Sequence, residues 1–95
     1  MQSVTLNIRH DMPDSRWSAL ARVYEEMPGW QGYGADNCPV WSPDGPGLGD
    51  ITASVEPSGL LFEVKLPESS WKRWLEEFIE RATVAVRHPV EDADA

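Results

Sequence analysis

Ninety-five residues make one domain, because a chain this short buries only about 60–65% of its unfolded surface and cannot divide that burial between two cores. Apolar residues at 41% and charged residues at 25% exclude the charge-rich, apolar-poor composition of disordered chains. Eight basic against sixteen acidic residues leave a formal charge of −8, a field that repels phosphate backbones and anionic membranes and favours basic proteins as partners.

The opening "MQSVTLNIRHDM" has no basic stretch leading into an apolar run, so neither a secretion signal nor a membrane span is expected. Within it, Val4, Leu6 and Ile8 alternate with Thr5, Asn7 and Arg9, the period of two that predicts a strand with one buried face over 4–9. "DMPDSRW" then supplies Asp14 or Ser15 as a helix cap, and Trp17, Leu20, Ala21, Tyr24 and Met27 follow at spacings of three and four, predicting a first helix. Pro28-Gly29 ends it, since proline disfavours helical geometry in the residue before it.

Residues 28–50 are expected to be a long irregular segment. The stretch "MPGWQGYGADNCPVWSPDGPGLGD" holds six of seven glycines, four of eight prolines and the only cysteine, with no lysine or arginine. After it, Ile51, Ala53 and Val55 alternate with polar residues, "EPSG" matches a turn with proline second and glycine fourth, and Leu60, Phe62, Val64 and Leu66 alternate again. These two runs predict an antiparallel hairpin with one face on a core and one on water or a partner.

"PESSW" offers Ser69 or Ser70 as the next cap, and Trp71, Trp74, Leu75, Phe78, Ile79 and Ala82 form the apolar stripe of a second helix. Glu77 precedes Arg81 by four residues on its wet side, a pair worth about 0.3–0.5 kcal/mol. Residues 84–90 either finish that helix or begin an edge strand, and 91–95 form an acidic tail expected to fray. The expected architecture is an α+β two-layer sandwich, order β-α-β-β-α, both helices on one sheet face. A final strand would complete a ferredoxin-like order. Nothing in the sequence speaks to oligomeric state.

Catalytic chemistry finds little foothold. His10 and His88 sit at the ends of predicted elements and read as exposed polar residues, since acid-base catalysis needs the group in a pocket. Cys38 has no histidine near it in sequence and reads as a small, partly buried thiol; as the only cysteine it forms no intramolecular disulfide, which fits a reducing cytoplasm. One cysteine and two separated histidines make no zinc set, and "DGPGLGD" lacks the ligand spacing of a calcium loop. The glycines of "GWQGYG" follow a helix end, the wrong setting for a phosphate cradle. No cofactor is expected.

Five tryptophans are the remaining anomaly. Trp17, Trp71 and Trp74 lie on helical stripes and belong to the core. Trp30, directly after the helix end, is expected to fold back over the core edge, whereas Tyr33 and Trp41 stand either as lids or as interface anchors. Asp36, Asp44 and Asp50 give their segment an uncompensated −3, and Glu25 and Glu26 precede it at a helix C-terminus, where negative charge opposes the dipole at a cost of about 0.3–1 kcal/mol each. Asp36, Asp44, Asp50, Tyr33, Trp41, Glu25 and Glu26 are therefore the candidate partner-binding residues.

In size, acidity and features such as "GYGADNCPVWSPDGPGLGD", the chain resembles the small acidic cytoplasmic immunity proteins that bacteria make against toxins passed between cells, often nucleases. The resemblance implies a non-catalytic module that covers the working site of a basic toxin, its carboxylates pairing with bases that otherwise hold phosphate. Immunity proteins share no single fold, so no residue roles carry over from them. Two alternatives stand beside it. One is a small enzyme or ligand-binding domain with a pocket under 28–50, with Cys38 or His10 inside it. The other is a regulatory subunit binding through its sheet edge, presenting Thr52, Ser54, Glu63 and Lys65.

Overall fold

A computed structural model describes residues 2–93 of the chain. In order these form β1 (Gln2–Leu6), α1 (Asp14–Glu26), β2 (Trp30–Tyr33), a single 3-10 turn (Ala35–Asn37), β3 (Pro39–Trp41), β4 (Ile51–Glu56), β5 (Gly59–Val64) and α2 (Glu68–Val86). The fold is α+β. One five-stranded sheet, ordered β1-β5-β4-β3-β2, is antiparallel throughout.

The predicted hairpin forms its centre. Ala53 faces Phe62 and Ile51 faces Val64 across β4 and β5, so the alternating apolar residues share one face. Gly59, the last residue of the predicted turn, has φ +140, and a side chain there would collide with the Leu6 carbonyl of β1. Only glycine allows that approach. Leu6 lies opposite Leu60 and Val4 opposite Phe62, which extends the apolar face into β1.

Both helices lay rings on this face. Trp74 and Phe78 of α2 meet Trp41 at 4.9 Å and Phe62 at 5.0 Å between ring centroids, and Tyr24 of α1 meets Trp41 at 5.5 Å and Phe78 at 6.1 Å. The indole N–H groups are paired as well. Trp41 donates to the Tyr24 carbonyl (2.8 Å), Trp74 to the Pro28 carbonyl (3.0 Å) and Trp71 to Oε1 of Gln2 (2.7 Å). Buried rings of this kind need such partners, since an unpaired buried donor costs about 1–3 kcal/mol. The predicted stripe of α2 is the observed one, with Trp71, Trp74, Phe78 and Ala82 buried and Leu75 and Ile79 packed against them.

Several boundaries differ from expectation. The first strand stops at Leu6 rather than Arg9 because Asn7 turns its polar groups to the C-terminal segment, while Ile8 stays buried in the core. Each helix starts right after a proline, Pro13 or Pro67, with no side-chain cap. Asp14 and Glu68 instead place negative charge in the first turns, where the helix dipole favours it. Residues 84–86 finish α2, because Val86 continues the buried stripe, and Arg87 ends it in the left-handed conformation (φ 61).

The segment 28–50 is not irregular throughout. It contains β2, the 3-10 turn and β3, a short hairpin on the far edge of the sheet. The order therefore carries two strands more than β-α-β-β-α and is not ferredoxin-like. Asp36 (φ 55) and Asn37 (φ 60) are both left-handed, and the Cys38 N–H bonds back to the Ala35 carbonyl (3.1 Å), a type I′ turn inside a three-residue hairpin loop that the Gly34 N–H closes onto the Cys38 carbonyl (2.8 Å). Gly32 lies at the register shift in β2, and Pro39 opens β3, both positions where these residues are tolerated in strands.

Nor does all of the tail fray. Asn7 exchanges main-chain and side-chain hydrogen bonds with Glu91, Asp92 bridges Leu6, and the Ala93 N–H reaches the Thr5 carbonyl at 2.8 Å. Of the expected frayed segment, Asp94 and Ala95 lie outside the described residues.

Candidate functional site

A groove of about 560 Å³ opens on the helix-bearing side of the sheet. One wall is α1, through Trp17, Ala21 and Tyr24; the facing wall is the tip of the β2–β3 hairpin, with Tyr33, Asp36 and Cys38. Its floor is the end of the central hairpin, with Val55, Glu56 and Leu60. The amphipathic stripe of α1 turns Tyr24 inward, and the left-handed Asp36–Asn37 turn carries the hairpin tip over the end of β4.

Tyr33 reaches the groove through an irregularity. Between Trp30 and Gly32 the register with β3 shifts, so that Trp30 faces Trp41 and Tyr33 faces Pro39. Both rings thereby fall on the same side, 5.2 Å apart and edge to face. Tyr33 remains 46% exposed. Behind it, Tyr24 is 6% exposed, and among the described residues its hydroxyl makes no hydrogen bond. Burial first, then the neighbouring Tyr33, pushes the Tyr24 hydroxyl well above its ordinary value of 10.0. Partial burial and the charge of Glu25 raise Tyr33 in the same direction.

The lining is one-signed: Asp36 and Glu56 contribute carboxylates, and no lysine, arginine or histidine takes part. Glu25 acts on Tyr33 from the end of α1. Neither His10 nor His88 lies in the lining, so Cys38 has no histidine beside it there. Among the described residues, no three His, Cys, Asp or Glu side chains gather as a metal site, and no helix is long and apolar enough to cross a membrane. No protein-family pattern, curated protein sequence or solved structure matches the chain. Function has to be read from geometry and charge.

The seven candidate residues do not form one patch. Tyr33 and Asp36 line the groove, with Glu25 near. Trp41 does not act as an anchor, because it is fully buried beneath Trp30, Trp74 and Phe62. Glu26 turns to Arg81 of α2 at 3.6 Å. Asp50 accepts a hydrogen bond from the buried Ser42 hydroxyl at 2.7 Å, closing the loop between β3 and β4. It precedes β4 whereas Glu56 ends it, a separation of about 20 Å along an extended strand. Asp44 is exposed in that same loop.

Glu56, Tyr24, Trp17 and Ala21 are the residues that sequence reasoning missed. The stripe of α1 signals that Tyr24 is inward, but nothing local signals that its hydroxyl faces a hairpin tip. The other sheet face carries a second hollow of about 230 Å³ between Asp50, Thr52, Glu63 and Lys65. Thr52, Glu63 and Lys65 of the polar face anticipated from the alternation of β4 and β5 line it, whereas Ser54 lines the groove. The hollow's mixed charge distinguishes it from the groove.

Proposed function

We propose that the chain is a non-catalytic, cytoplasmic binding module of the immunity or antitoxin type, which neutralises a basic protein, such as a nuclease toxin, by covering its working site. The observation that carries this reading is the groove lining: aromatic rings and carboxylates with no base among them, on a chain of charge −8. Lysines and arginines that hold phosphate in a nuclease would meet complementary charge here, which speeds association and fixes orientation. Tyr33, half-exposed at the rim, supplies the aromatic contact that interfaces favour.

The test is copurification with the protein's neighbours in its own cells, followed by salt titration of the complex. A basic protein should be recovered, and its complex should weaken steeply as salt screens the exposed charges. Tyr33→Ala and the double change Asp36→Asn/Glu56→Gln should weaken it, whereas Asp44→Asn and Asp50→Asn should leave affinity nearly unchanged. A second reading, a small-ligand pocket, is favoured by volume alone, since about 560 Å³ falls in the range of about 300–1,000 Å³ usual for such sites. A melting-temperature rise with a small metabolite, and no recovered protein partner, would replace the first reading by the second.

A further inference from the structure

We infer that the groove seats one arginine side chain of the basic partner, held between the Tyr33 and Trp17 rings and paired with Asp36 and Glu56. This deepens the binding-module reading and rests on it. Four features of the groove converge on that occupant.

The first is charge. Two acidic residues from different elements, Asp36 at the hairpin tip and Glu56 at the end of β4, line a common space, and among the described residues no basic residue lines it. Elsewhere, bases do find acids: Lys72 meets Glu68 at 2.9 Å and Arg81 meets Glu77 at 3.0 Å. The second is the phenol of Tyr24. Tyr24 is more than nine-tenths buried, lines the groove, and has a hydroxyl without a partner among the described residues. No buried side-chain nitrogen or oxygen among those residues goes unpaired, so this hydroxyl opens onto the groove, where it can accept from an incoming donor.

The third feature is aromatic surface, from Trp17, Tyr24 and Tyr33. Cations lying over such ring faces gain roughly 0.5–2 kcal/mol, more as water is excluded. The fourth is apolar floor, with Ala53, Val55 and Leu60 beneath, where the methylene stem of a long cationic side chain can lie while its charged head reaches the carboxylates. Together these select arginine over lysine. A guanidinium is planar, stacks on rings and donates in a fork to a carboxylate, whereas an ammonium is a compact, strongly hydrated charge. The volume exceeds one side chain, which leaves room for the residues flanking the arginine.

The probe is N-acetyl-arginine methylamide, titrated into the 15N-labelled full chain at low salt, with the lysine analogue and the neutral citrulline analogue as controls. Expected are saturable amide shifts confined to the region of Ala21, Tyr33, Asp36 and Val55. The dissociation constant should be on the order of millimolar, as suits a single side chain. Citrulline should bind about tenfold more weakly, as should arginine to the double variant Asp36→Asn/Glu56→Gln. A dispersed amide spectrum shows that the variant is folded. Absence of saturable shifts, shifts centred elsewhere, or equal binding of citrulline or lysine would overturn the inference. If a basic protein still binds the Asp36→Asn/Glu56→Gln chain at full affinity, the arginine seat falls while the binding-module reading stands. If the arginine probe binds but no protein partner exists, the reading falls and the cation site remains.

Discussion

Tyr24 joins the interior to the groove. Its ring lies against Trp41 and Phe78, and its carbonyl takes the Trp41 indole N–H, so the residue is both packed and wired into the core. The same burial holds its phenol neutral far above the ordinary 10.0. The sign of the consequence is fixed. Above pH 10 the unfolded chain releases the phenolic proton and the folded chain does not, so the stability present below that pH is lost as pH rises. Urea unfolding between about pH 9 and 11.5 should show this loss, with a limiting slope of about 1.4 kcal/mol per pH unit for one proton. Tyr24→Phe should flatten that slope; an identical pH profile in the variant would contradict the assignment. Trp41 shows what one sequence position conceals. Its neighbours in sequence, "CPVWSP", look like a surface loop, yet β3 carries it to the centre of the ring cluster.

Among the elements, the four-residue β2 and three-residue β3 were hidden because strands so short cannot display a full alternation, and glycine and proline interrupt them. One signal was present. Asp36-Asn37 are residues that tolerate the left-handed conformation which a type I′ turn requires. The connections around them are equally constrained: Gly29 has φ +84, and a Cβ there would lie 2.5 Å from the Pro43 nitrogen. By contrast β4, β5 and α2 were legible, since six alternating residues or five turns of stripe report their buried face directly. The C-terminal segment was misread because its partner, Asn7, lies 84 positions from Glu91. Asn7 accepts from the Glu91 N–H at 2.8 Å and donates to the Pro89 carbonyl at 3.1 Å. Asn7→Ala should cost about 1 kcal/mol and raise hydrogen exchange at Glu91 and Ala93, with the α2 amides unaffected. Unchanged exchange there would mean that the backbone bonds alone hold the segment.

For the whole molecule, a radius of gyration of 12.3 Å matches the roughly 12–13 Å of a folded chain this long, so the 28–50 segment is part of the globule. Charge is where global and local descriptions diverge. Net repulsion in a chain of −8 opposes compaction, while the ion pairs that exist are exposed and worth little. Raising salt from about 10 mM to about 1 M, which shortens the screening length from about 30 to 3 Å, should therefore stabilise the fold. A gain of under about 1 kcal/mol corresponds to roughly 4 °C in melting temperature. A fall instead would show that the Glu68–Lys72 and Arg81 pairs outweigh the repulsion.

The sequence by itself determined the α+β class, the central hairpin, the stripes of both helices and the sign of the field, because alternation, helical period and net charge are sums over local residues. Only the tertiary structure decided that Trp41 is core, that Asp36 and Glu56 line one groove while Asp44 and Asp50 do not, and that Tyr24 and Tyr33 share it. Those facts depend on which distant segments pair and in what register, and a one-residue shift such as that between Trp30 and Gly32 is enough to turn a ring from one face of a sheet to the other.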